Sequence, residues 1–216
     1  MALSLRGIAR QHASLTGPVS VINDLFSRPG AAAPSLRATL SSLARQERSF
    51  DVAECIYGWT CRYEQTWSHV RVRIRLNPDA TVTAAQLATL QATWQQGIES
   101  AWSSQRACGQ RLESACPFTF DVEWVTTNEH QAIQVRLGPA RSNVTTWDTM
   151  DTGAVAAHEF GHMLGNFDEY ADAVCPSRNP VNTGAIMDGN ALTFEDRFFQ
   201  RLATDIGSSV VPVTTQ

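Results

Sequence analysis

His158, Glu159 and His162 are the residues of this chain whose types and spacing do chemistry most directly. On a helix, positions i and i+4 share one face, so the two imidazoles can hold one metal ion with Glu159 beside them. Neutral imidazole nitrogens suit Zn2+, which polarises an amide carbonyl and makes water more acidic, and a nearby carboxylate can take the water's proton. The three residues therefore point to metal-assisted hydrolysis of an amide bond, with His158 and His162 as ligands and Glu159 as general base.

A pattern with two free positions in five recurs by chance, so its surroundings decide. The small, apolar run Gly153-Ala154-Val155-Ala156-Ala157 suits a helix buried against a sheet. Gly165 follows where a positive φ would stop that helix. The chain can then turn back so that Asp168 supplies a third ligand and one position stays open, the layout of catalytic zinc sites. Glu169 is adjacent, and Glu195 lies on the last expected helix, so three carboxylates compete for the third place; the distance in sequence from His162 favours Asp168. Glu169 would then orient a ligand from behind. Tyr170 reads either as an oxyanion donor or as a packed side chain. His12, His69 and His130 lack ligand spacing and are assigned to the surface or to local hydrogen bonds.

The elements that must position these residues show in the hydrophobic pattern. Residues 69–76 alternate polar and apolar, which predicts a half-buried strand with Val70, Val72, Ile74 and Leu76 on one face. Leu87, Leu90, Trp94, Ile98 and Trp102 recur at spacings of three and four, which predicts a long amphipathic helix over 83–103. Residues 118–125 and 132–137 read as strands, 152–164 as a helix started by Asp151 or Thr152, and 193–206 as a last helix capped by Thr193. Residues 1–50 carry Gly and Pro punctuation that leaves short helical pieces such as 35–47. They are read as an N-terminal extension (propeptide, docking arm or packed helices) before a metallopeptidase domain over 51–216. The expected fold is α+β, a small mixed sheet packed on a long helix and on the helix that carries the His pair.

The stretch His158 to Asp168 resembles the metzincin signature H-E-x-x-H-x-x-G-x-x-H/D, in the variant with Asp as third ligand, and the match covers every fixed position. Gly184-Ala185-Ile186-Met187-Asp188 is similar to the Met-turn of that family. The resemblance implies a zincin-like fold, one catalytic zinc on His158, His162 and Asp168, and Met187 beneath the metal. It further implies that the strand over 132–137 borders the cleft and pairs with an extended peptide substrate. A looser resemblance, over about residues 68–200, is to metallopeptidase domains at the ends of VgrG-type secretion spikes. That one implies an effector toxin with a secretion-apparatus carrier or an immunity protein as partner, cytoplasmic in its producer and then delivered to a target cell.

Composition sets the outer limits. With 43% apolar and 18% charged residues and six Trp, the 216-residue chain can bury one good core. A net charge of −4 without long runs of one sign gives no footprint for nucleic acid or anionic membrane, and neither is expected as a partner. All seventeen basic residues are Arg, which reads most simply as codon bias. No run is long enough for a membrane span, and residues 1–15 lack the apolar stretch of a secretory signal. A monomer is expected. The spacings of Cys55 with Cys61 and of Cys108 with Cys116 suit two small disulfide loops, leaving Cys175 unpaired, unless all five are thiols. Besides an endopeptidase, the residues allow a zinc-stabilised binding module without turnover, or a zinc amide hydrolase acting on a non-protein substrate.

Overall fold

A computed structural model of the chain describes residues 45–109 and 116–213. Its centre is strand β3 (His69–Pro78), built on the alternating row of the sequence. Before it come β1 (Gln46–Glu54) and β2 (Tyr57–Thr66), and after it helix α1 (Ala84–Trp102), β4 (Arg106–Gly109), β5 (Cys116–Pro117), β6 (Thr119–Trp124), β7 (Gln131–Arg136) and β8 (Thr146–Asp148). Helix α2 (Gly153–Met163), the short α3 (Ile186–Gly189), a 3-10 turn (Asp196–Phe199), α4 (Gln200–Asp205) and β9 (Ser209–Pro212) complete the order. The fold is α+β. Six strands form a mixed sheet, β1 and β2 antiparallel to their neighbours and β6, β7 and β8 parallel to theirs; β5, β4 and β9 form a smaller antiparallel sheet.

Side chains alternate across β3, so one face is apolar and the other charged. Val70, Val72 and Ile74 are fully buried in the core that also takes in α1 and α2. Arg71, Arg73 and Arg75, from the other face, pair with Asp121, Glu47 and Glu129. His69 meets Asp121, and His130 accepts from the Arg73 N–H and pairs with Glu47, the local roles expected of them. His12 and residues 1–44 as a whole lie outside the described residues.

Helix α1 starts at a reciprocal capping box between Thr83 and Gln86 and buries Trp94, Ile98, Ala101 and Trp102. Both indoles fix the next layer: Trp94 Nε1 donates to Asp151 O (3.0 Å) and Trp102 Nε1 to Ala157 O (2.8 Å). The two helices meet backbone to backbone where Gly97 faces Gly153. Helix α1 also closes one sheet edge, since Ser103 Oγ accepts from Phe120 N–H and Glu99 Oε1 from Val122 N–H (3.1 and 3.0 Å). No helix among the described residues is long and apolar enough to cross a membrane.

Three expectations are corrected. Residues 46 and 47, expected at the end of a helix, stand in β1, which crosses the boundary drawn at residue 50. The last helix is not continuous over 193–206: Thr193 O accepts from Ile186 N and Phe194 O from Arg106, so neither carbonyl is left to start a helix. Glu195 stays extended, and a 3-10 turn comes before the short α4. Cys55 bonds to Cys175, 120 residues away, and not to Cys61. Cys55 lies at the hairpin turn while Cys61 lies within β2, roughly 13 Å of extended strand beyond that turn, too far for a disulfide. Cys108 and Cys116 do face each other across β4 and β5, as hydrogen-bonded thiols. Replacing Cys175 with Ala is expected to cost about 2–5 kcal/mol of stability; denaturant melts with and without reductant check it, because reductant should bring the wild type to the variant's midpoint.

Candidate metal centre

Helix α2 begins at Thr152, whose side chain accepts from Val155 N, and residues 156–163 are all buried. Its small residues allow that depth. A Cβ on Gly161 would overlap Met187 Sδ and press on Trp102, so Met187, fully buried on α3, lies directly against the turn between the two histidines. The helix ends in a Schellman arrangement: Asn166 N donates to Gly161 O (3.1 Å) and Gly165 N to His162 O (3.0 Å). Gly165 has φ +95° and the Phe50 ring where a side chain would go, so glycine is required there twice over.

This turn brings Asp168 back onto the His pair. His158 Nδ1 bonds to Ile186 O (2.7 Å) and His162 Nδ1 to Asn166 O (2.8 Å). A carbonyl only accepts, so in each neutral ring Nδ1 carries the proton and the Nε2 lone pair is left for a ligand role. Both Nε2 atoms converge on Asp168 Oδ1, at 3.1 and 3.2 Å. The three donor atoms lie within 4.8 Å of one another, the one such grouping of His, Cys, Asp or Glu among the described residues. Two neutral imidazoles and a carboxylate, oriented by hydrogen bonds from behind, match the donors that zinc takes.

The electrostatics of the group are strongly perturbed. Burial opposes ionisation of Asp168, but the Nε2 atoms of His158 and His162, which donate to it when those rings are protonated, and the Tyr170 hydroxyl outweigh it and hold its carboxyl well below the usual range. Burial likewise opposes a charge on His162, and contact with Asp168 overcomes it, so the imidazole pKa is raised. Glu159 is only 5% exposed, and burial pushes its carboxyl up. Its Oε2 lies 4.0 Å from His162 Nε2 without a hydrogen-bond partner. A buried oxygen left unmatched beside the donor triangle fits a group that has to receive a proton.

The other two carboxylates stand elsewhere. Glu169 is buried against Arg197 (2.7 and 2.8 Å) and Thr183 Oγ1 (2.5 Å), and its N–H donates to Met187 O, so it joins the ligand loop to α3. Glu195 is half exposed and 3.7 Å from Arg197. The Tyr170 hydroxyl donates to Asp168 Oδ2 (2.8 Å) and accepts from Arg141 (2.8 Å).

Sequence reasoning passed over four supporting residues. Trp59 Nε1 and Cys61 Sγ donate to His162 O (2.8 and 3.2 Å), so β2 fixes the backbone at His162. Glu54 and Arg178 meet beside Asp168. No local pattern marks any of the four: Trp59, Cys61 and Glu54 meet partners more than 100 positions away, and Arg178 is held by Glu54 across 124.

Strand β7, expected to border a substrate cleft, is not the edge of its sheet, because β8 pairs outside it. The outward groups of β8 are already used: Thr146 exchanges two bonds with Asn143 (2.9 and 3.1 Å), Asp148 N donates to Asp151 Oδ2 (2.8 Å), and Asp151 N donates back to Asp148 O (3.1 Å). A peptide that added as a strand here would have to displace them.

No protein-family model, curated protein or solved structure gives a significant match to this chain.

Proposed function

We propose that this chain is a zinc-dependent endopeptidase of zincin-like, metzincin-related build. The convergence of His158 Nε2, His162 Nε2 and Asp168 Oδ1, with both Nδ1 atoms committed and Glu159 Oε2 unmatched beside them, carries the reading. His158, His162 and Asp168 would hold Zn2+, which supplies Lewis acidity toward a peptide carbonyl and toward water. Glu159 takes a proton from the attacking water on Oε2 and returns it to the departing amine. Ile186 O and Asn166 O keep the imidazoles aimed, Tyr170 holds Asp168 Oδ2, and Met187 forms an apolar floor under the helix. A purely structural zinc site has no use for a buried base, which sets the binding-module reading behind. The Cys55–Cys175 disulfide favours an oxidising destination, as a delivered or secreted enzyme would meet.

Elemental analysis of the wild type, Asp168→Ala and Glu195→Ala, with hydrolysis of a mixed peptide library, tests this. One zinc per chain is expected, lost with the activity in Asp168→Ala and kept in Glu195→Ala. A wild type that takes up no zinc would overturn the proposal.

A further inference from the structure

Arg178 is buried to a degree that charged side chains rarely reach, with 2% of its side chain exposed. Burying a guanidinium costs several kcal/mol unless it is paired and hydrogen-bonded, so its surroundings show what it is held for. Nε and NH2 both reach Glu54 Oε2 (2.9 and 2.8 Å), at the end of β1. NH1 donates to Tyr170 O (3.0 Å), and the guanidinium lies over the Tyr170 ring, 5.0 Å from its centroid. NH2 is 3.9 Å from Asp168 Oδ2.

Oδ2 is the oxygen of Asp168 turned away from the histidines, and Tyr170 donates to it. Arg178 thus touches Tyr170 at its backbone and its ring and puts a positive charge beside Oδ2, while Glu54 holds Arg178 in place. The hairpin end itself is anchored, by the Cys55–Cys175 bond and by Tyr57 donating to Asp172 (2.8 Å). From this geometry we infer that Arg178 is a positioning residue for the third ligand: clamped by Glu54, it fixes Tyr170 and Asp168 so that Oδ1 alone is presented to the metal. The β1–β2 hairpin is thereby part of the metal centre although it supplies no ligand. This rests on the zinc reading above and adds to it the residue that sets the angle of Asp168.

The test is zinc affinity by chelator competition, and the visible spectrum of the Co2+-loaded protein, for the full chain and for Arg178→Met, Arg178→Lys, Glu54→Gln and, as a distant ion-pair control, Arg106→Met. Circular dichroism identifies which variants fold. Expected is a loss of zinc affinity of about 10- to 100-fold in Arg178→Met, a smaller loss in Arg178→Lys and Glu54→Gln, a shifted Co2+ spectrum in all three, and wild-type values in Arg106→Met. If Arg178→Met does not fold, Glu54→Gln and Arg178→Lys decide. Folded variants with wild-type affinity and spectrum would overturn the inference while leaving the zinc site intact. A wild type that binds neither metal would overturn the zinc reading and this inference with it; zinc binding without peptide cleavage would overturn only the peptidase.

Discussion

Glu159→Gln should retain zinc, lose peptide hydrolysis by about 10²- to 10⁴-fold, and unfold at a higher temperature than the wild type. The first two outcomes follow from the place of Glu159: it is outside the donor triangle, yet its Oε2 is 4.0 Å from His162 Nε2. The third follows from its burial. An ionised oxygen without a hydrogen-bond partner costs about 1–3 kcal/mol or more, and the neutral amide removes that charge while keeping the shape. Activity, metal content and a thermal melt, measured on one preparation, separate these effects. A variant that hydrolyses peptide at the wild-type rate would remove Glu159 from the mechanism, and one that loses zinc would make it a ligand.

The second large effect is expected at Gly97→Ala. In an ordinary helix interior this change stabilises by roughly 0.5–1 kcal/mol, because glycine has more backbone freedom to lose. Here the new methyl would run into the backbone of Gly153, at the first turn of α2, and backbone has no rotamer with which to give way. The sign should reverse, to a loss of about 3 kcal/mol, read as a lower urea midpoint with an unchanged slope. To relieve the overlap, α2 must move away from α1, carrying His158 from Ile186 O and from Asp168. Zinc affinity should therefore fall along with stability. An unchanged or higher midpoint would mean that the helices part without strain.

Elements whose pattern is periodic and whose ends carry capping chemistry were legible in the sequence. The expected 83–103 helix is bounded by its own caps, Thr83 and Ser103, and the expected 152–164 helix is bounded by Thr152 and Leu164. Strands β3, β6 and β7 lie within two residues of expectation at either end. The β1–β2 hairpin was not legible. Its turn at Cys55 and Ile56 has no Gly or Asn, although Cys55 takes φ +54°, and β2 buries Tyr63, Glu64 and Gln65 in succession, which cuts short the alternation of residues 59–63. Strand β8, with three residues, is too short to show a period.

The candidate site divides in the same way. His158, Glu159, His162 and Asp168 sit on one helix and the turn that ends it, so local geometry alone brings them together. Arg178 reaches Glu54 across 124 positions, and Trp59 reaches His162 across 103. Such pairings depend on how the sheet is laid out. The cysteines misled for the same reason, since the partner of Cys55 is close only in the folded chain.

The bond between Cys55 and Cys175 closes a covalent ring that holds β2 through β8, both long helices, and all of His158, Glu159, His162 and Asp168. One backbone cut anywhere inside that ring opens the loop but releases no fragment. The nicked pieces stay on one molecule and can re-form the centre until a reductant or a second cut separates them. Two events, instead of one, then set the working lifetime of this molecule among proteases.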